Sequence, residues 1–113
     1  MHTYTGIVQN GNKRASGLGF PTVNIPLNDK SASGIYIARV RTEGGDYRAA
    51  VYADQKRGLL EAHLLDFSGE LYGQAVTMIL HKKIRESATF ADDETLRTAI
   101  ENDIAKVRDF SED

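Results

Sequence analysis

The sequence predicts a mostly β protein: an antiparallel barrel or sandwich of six strands followed by one C-terminal helix. Three observations predict it. Six short segments of alternating apolar and polar residues fill the first three quarters of the 113-residue chain. Turn-forming residues separate them, and the last quarter changes to a helical period.

Taken in order, TYTGIVQ (3–9), PTVNI (21–25), GIYIARVR (34–41), DYRAAVYA (46–53), LLEAHLLDF (59–67) and QAVTMILHKK (74–83) read as strands. NGNK, Asn28-Asp29, Ser31 to Gly34, Gly44-Gly45 and Ser68-Gly69 supply the turns. Over DDETLRTAIENDIAKVRDF (92–110), Leu96, Ile100, Ile104, Val107 and Phe110 step by four, four, three and three, which is one face of a helix. Asp92 or Asp93 can cap its start, and acids in the first turn suit the helix dipole. Such a stripe needs a partner, most simply the outside or the mouth of the barrel. The chain shows no repeat, linker or low-complexity tract, so one domain over 1–113 is expected.

An apolar share of 41% and a charged share of 27% are those of a globular chain. No apolar run approaches the roughly 20 residues of a membrane span, and the N-terminus lacks a signal pattern, so a cytoplasmic location is expected. The absence of cysteine excludes disulfides, thiolate metal sites and a cysteine nucleophile. His2, His63 and His81 are too scattered for a zinc site. Residues 1–85 carry eleven Lys/Arg against seven Asp/Glu, a balance of +4, and residues 86–113 carry three against nine, a balance of −6. A mildly basic body suits an anionic ligand such as a nucleotide, although solvated surface charge accounts for it equally well. Nothing resembles the basic stripe of a nucleic-acid binder, and the aromatic residues are dispersed.

Three stretches could carry chemistry. In the second strand Thr22 and Asn24 are two apart and share one side. They either face solvent and backbone, or converge as a hydroxyl and an amide oxygen on a hard cation such as Mg²⁺ that is shared with phosphates. Just upstream, GNKRASGLG brings Gly11, Gly17 and Gly19 together with Lys13 and Arg14. Such a loop is either a plain turn or a cradle of backbone N–H groups for a phosphate. It is not a Walker A loop, because G-K-[ST] is missing and a strand follows. In the fifth strand Glu61 and His63 share a face with Leu59, Leu65 and Phe67. Glu61 either points into water at an edge or is a partly desolvated carboxylate serving as general base, and His63 is taken as structural. Loop, cation ligands and base together are what phosphoryl transfer from a nucleotide to an alcohol requires.

GNKRASGLGFPTVNI resembles the signature of riboflavin kinases, in which a basic Gly-rich loop leads into G-F-P-T-A-N. GIYIARV, LEAHLLDFSGELYGQ and IRESATFADDETLRTAIENDIAKVR are similar to further blocks of that family, in the same order and over nearly the whole chain. The resemblance implies a six-stranded antiparallel Greek-key β-barrel with a C-terminal α-helix packed against it. It also implies transfer of the ATP γ-phosphate to the ribityl 5′-hydroxyl of riboflavin, giving FMN. Thr22 would then be the metal ligand, Asn24 its partner near the phosphates, and Glu61 the catalytic base. Gly11, Lys13, Arg14, Gly17 and Gly19 would lie over the nucleotide, with Arg85, Phe90 and Leu96 bordering the flavin. The implied partners are riboflavin/FMN and ATP/ADP with Mg²⁺ or another divalent cation, and neither nucleic acid nor membrane; a monomer is expected. Between the fourth and fifth strands VYADQKRGLLEA is shorter than the family's connection and lacks its N-I-G-x-x-P-T. That segment helps wall the nucleotide side, so the alternative expectation is an impaired flavin- or nucleotide-binding barrel. No H-x-G-H motif is present, and FAD synthesis is not expected.

Overall fold

A computed structural model describes residues 2–10 and 14–111, with Arg14 and Ala15 described by backbone alone. Gly11 and Lys13, two residues of the expected nucleotide loop, lie outside the described residues. Six strands form one antiparallel sheet: β1 (His2–Ile7), β2 (Val23–Pro26), β3 (Gly34–Thr42), β4 (Gly45–Asp54), β5 (Leu59–Leu64) and β6 (Ala75–Arg85). A short helical turn, α1 (Arg14–Gly17), precedes β2, and α2 (Asp93–Asp109) follows β6.

The spatial order is β1-β6-β3-β4-β5-β2. Strands β3, β4 and β5 form a meander, and β6 returns by a longer connection to lie beside β3, which is the Greek-key arrangement. The two ends of the sheet approach each other where Gln9 bridges to Asn24, its N–H donating to Asn24 O at 2.8 Å. The sheet is therefore a nearly closed barrel rather than a sandwich. Closure also explains why β1 ends at Ile7 instead of running to Gln9. Past Ile7↔Ala75, Val8 still bonds to Gln74 and Gly73 just before β6, and Gln9 then turns to β2.

Inside the barrel Ile25, Leu60, Val40, Val51, Val76, Met78 and Leu80 are fully buried, and they alternate with outward residues as a pleated strand requires. A second, smaller cluster lies outside the barrel, where Ile37 and Leu65 meet Val107 with Ala50, Ile84, Ile104 and Phe110 around them. The helix thus seats its C-terminal half on the outer face of β3 and β4. Asp92 caps it, accepting from Thr95 N–H at 2.8 Å, and Lys106 and Arg108 occupy its last turn.

Two sequence expectations shift here. Strand β2 begins at Val23 rather than Pro21, and Pro21 has no N–H to give a ladder. Strand β5 ends at Leu64, and Asp66 adopts φ 59°, which breaks the alternation. Leu65 joins the outer cluster as expected, but Phe67 swings back to pack against the barrel core and meets Tyr47 edge-on at 5.0 Å.

Candidate active site

Strand register lays a row of side chains across five strands. Asn24 pairs with Glu61, Glu61 with Tyr52, Tyr52 with Ile35, and Ile35 with Arg85. Cross-strand partners share a face, so this row lies on the outer face, opposite the barrel core. The N-terminal half of α2 and the segment after β6 cover it. Between cover and sheet lies a cavity of about 200 Å³. Its walls include Phe20, Thr22, Tyr52, Glu61, His63, Arg85, Ser87, Phe90, Leu96 and Ile100. The apolar stripe of α2 therefore serves two purposes: Ile104, Val107 and Phe110 pack on the barrel, while Leu96 and Ile100 line the cavity.

A second cavity of about 260 Å³ opens at one end of the barrel. Asn10, Ser16, Asn24 and the turn Phe67 to Glu70 line it, together with Tyr72. Thr22 lines both cavities and stands at their junction. Thr22 and Glu61 thus meet across one hollow, and Thr22 and Asn24 across the other.

Glu61 is buried at 6% exposure, and among the described residues its Oε2 has no hydrogen-bond partner. Desolvation pushes its carboxyl up from 4.5 to about 7, and the neighbouring Asp54 pushes in the same direction, while Arg57 opposes them. Asp54 lies near enough for its negative charge to disfavour ionisation of Glu61. The tight turn from β4 to β5 makes this pair. Asp54 Oδ1 accepts from Arg57 N–H at 3.2 Å, and Gln55 donates to the carbonyls of Asp29 and Ala32. Tyr52 is also raised, first by burial and then by Asp54 and Glu61, with a hydrogen bond to Ser87 easing it.

Asn24 is buried at 4% exposure, and its Oδ1 also lacks a partner among the described residues. A buried carbonyl oxygen left unpaired costs about 1–3 kcal/mol and is a ready ligand for a hard cation. The hydroxyl of Thr22 and the free Oε2 of Glu61 are further oxygen donors. Among the described residues no group of three or more His, Cys, Asp or Glu could hold a metal ion. This donor set fits Mg²⁺ that arrives with phosphates, not a cation caged by protein carboxylates.

Arg85, Phe90 and Leu96 all line the first cavity, as a common role would require. The guanidinium of Arg85 is already engaged. Its Nε and Nη2 donate to both oxygens of Asp103 on α2 at 2.8 Å each, and it lies 5.8 Å from the centre of the Phe90 ring. Asp103 is buried at 4% exposure, so the pair is a strut between β6 and the helix roof. In the loop, α1 ends at Gly17 and Gly19 has φ +96°; Ser16, rather than either glycine, lines the second cavity.

Sequence reasoning gave no role to Tyr52, Ser87, Ser16 or Tyr72. Alternation along DYRAAVYA puts Tyr52 on the outer face beside Ala50, and that was the available signal for it. The other three depend on how loops fold back, which no local period encodes.

Fold and site together define a Greek-key barrel with a covered cavity on its outer face and a second cavity beside it. A family model described as riboflavin kinase (flavokinase) matches residues 1–111. The chain belongs to the riboflavin kinase family. It is 39% identical to a bifunctional riboflavin kinase/FMN adenylyltransferase of Pseudomonas fluorescens, over 91% of this chain and 36% of that protein. A chain from Streptococcus pneumoniae described as a macrolide-efflux protein superposes with a TM-score of 0.83 at 27% identity, over 96% of this chain and 39% of that one. A riboflavin kinase from Trypanosoma brucei shares the fold with a TM-score of 0.72 at 24% identity, over 95% of this chain and 74% of that one. The chain spans about a third of the length of its bifunctional relatives, 36% and 37% in two of them. No helix among the described residues is long and apolar enough to cross a membrane.

Proposed function

We propose that residues 1–113 act as one riboflavin kinase domain, transferring the γ-phosphoryl group of ATP to the ribityl 5′-hydroxyl of riboflavin to give FMN and ADP. The observation that carries this is Glu61: a buried carboxyl with one free oxygen, in the cavity it shares with Thr22. Family membership supplies the substrate class.

Riboflavin occupies the first cavity, its ring system between the sheet and the apolar side chains of Phe90 and Leu96. Arg85 borders it through its strut to Asp103. The nucleotide occupies the second cavity, beside the loop of Gly11, Lys13, Arg14, Gly17 and Gly19. Neither cavity alone suits two substrates of this size, and two cavities meeting at Thr22 would bring the reacting ends together. Thr22 and Asn24 hold Mg²⁺, which neutralises phosphate charge when bound. Glu61 accepts the proton of the 5′-hydroxyl as its oxygen attacks the γ-phosphorus, and with a carboxyl near 7 it is poised to do so at neutral pH. The working form is a cytoplasmic monomer, which sedimentation and fractionation test.

Incubation of the chain with MgATP and riboflavin, with chromatographic separation of flavins, should yield FMN in step with ADP. Folded protein that makes no FMN with Mg²⁺, Mn²⁺ or Zn²⁺ would defeat the proposal. Riboflavin fluorescence quenching without product would leave a binding barrel in its place.

A further inference from the structure

The segment that carries Thr22 into the junction lies beyond the paired strands. The β2–β5 register ends at Val23↔Ala62, and continuing it sets Thr22 opposite His63. Immediately before Thr22, Pro21 has no N–H for a ladder. Two contacts from one side chain hold this stretch. His63 Nδ1 lies 2.8 Å from Pro21 O. A carbonyl oxygen can only accept, so Nδ1 carries the hydrogen and donates it. The Phe20 ring stands edge-on to the imidazole, with centroids 5.6 Å apart and planes at 89°. Phe20, Thr22, His63 and Glu61 all line the first cavity.

We infer that His63 is a positioning residue: through its hydrogen bond to Pro21 O and its packing on Phe20, it extends the β2–β5 pairing by side chain and fixes Thr22 at the junction of the two cavities. It acts through Thr22 and holds neither substrate itself. The inference rests on the role given to Thr22 above. A hydrophobic residue of similar bulk would keep the packing on Phe20 and lose the donor. Asparagine would present a side-chain N–H at nearly the position of Nδ1, so it should restore the bond to Pro21.

The test is a double-mutant cycle on Mg²⁺-dependent ADP binding, measured by calorimetry, with far-UV circular dichroism confirming that each variant is folded. His63→Leu should weaken MgADP binding about tenfold, as loss of one well-formed hydrogen bond implies. His63→Asn should recover most of that loss. In a Thr22→Ala background His63→Leu should change affinity less than about twofold, because a residue acting through Thr22 has nothing left to position. Full additivity of His63→Leu and Thr22→Ala would overturn the inference, as would a His63→Asn protein as weak as His63→Leu. Wild-type protein that binds MgADP yet makes no FMN would sink the phosphotransfer reading and leave this one standing on its cycle.

Discussion

Replacing Glu61 by glutamine separates catalysis from stability, and the two should move in opposite directions. The side chain is buried, keeps its size on substitution, and sits beside Asp54 with a carboxyl raised from 4.5 to about 7. That rise corresponds to about 3 kcal/mol of added cost for the ionised form in the folded state. A raised folded value means that the stability the group contributes is whole below 4.5, is lost as pH rises from 4.5 through 7, and is absent above 7. Glutamine does not titrate, so the variant lacks this loss. Between pH 4.5 and pH 8 the variant should therefore gain up to about 3 kcal/mol on the wild type, on the order of 10 °C in Tm for a domain of this size. Turnover should fall by about 10²–10⁴-fold, the usual worth of a general base, while riboflavin still quenches on binding. Urea denaturation at several pH values and a discontinuous FMN assay give both quantities. Glu61→Gln turnover above about a tenth of wild type, or a stability difference that ignores pH, would refute the assignment.

Wild-type turnover should itself rise with pH and level off above about 7, as ionisation of Glu61 requires, with the profile flattened in Glu61→Gln. Asn24→Leu removes an unpartnered buried oxygen and keeps the branched four-atom side-chain shape, so Tm should hold or rise while turnover at limiting Mg²⁺ drops at least about tenfold. Asp103→Ala strands the Arg85 guanidinium, whose side chain is 24% exposed, beneath the helix. The cost should be about 3 kcal/mol in urea denaturation, with a raised KM for riboflavin as the roof loosens. Gly34→Ala should lower the unfolding free energy by more than about 1 kcal/mol, since Gly34 has φ +90° and a Cβ there would stand 2.6 Å from Arg85 O.

Periodicity alone determined the six strands, the long helix and its buried face, because burial repeats every two residues in a strand and every three to four in a helix. Thr22, Asn24 and Glu61 stood out as candidates for a related reason: an oxygen-bearing side chain on an apolar strand must find either a partner or a use. What these residues meet was settled in three dimensions. The cross-strand row Asn24–Glu61–Tyr52–Ile35–Arg85 depends on the register of five strands, and register comes from packing of the whole sheet. The influence of Asp54 on Glu61, the strut from Arg85 to Asp103 and the hold of His63 on Pro21 link residues 7, 18 and 42 positions apart. Local sequence sets which way a side chain points; only the nearly closed barrel with its helix cover decides which side chains then face each other.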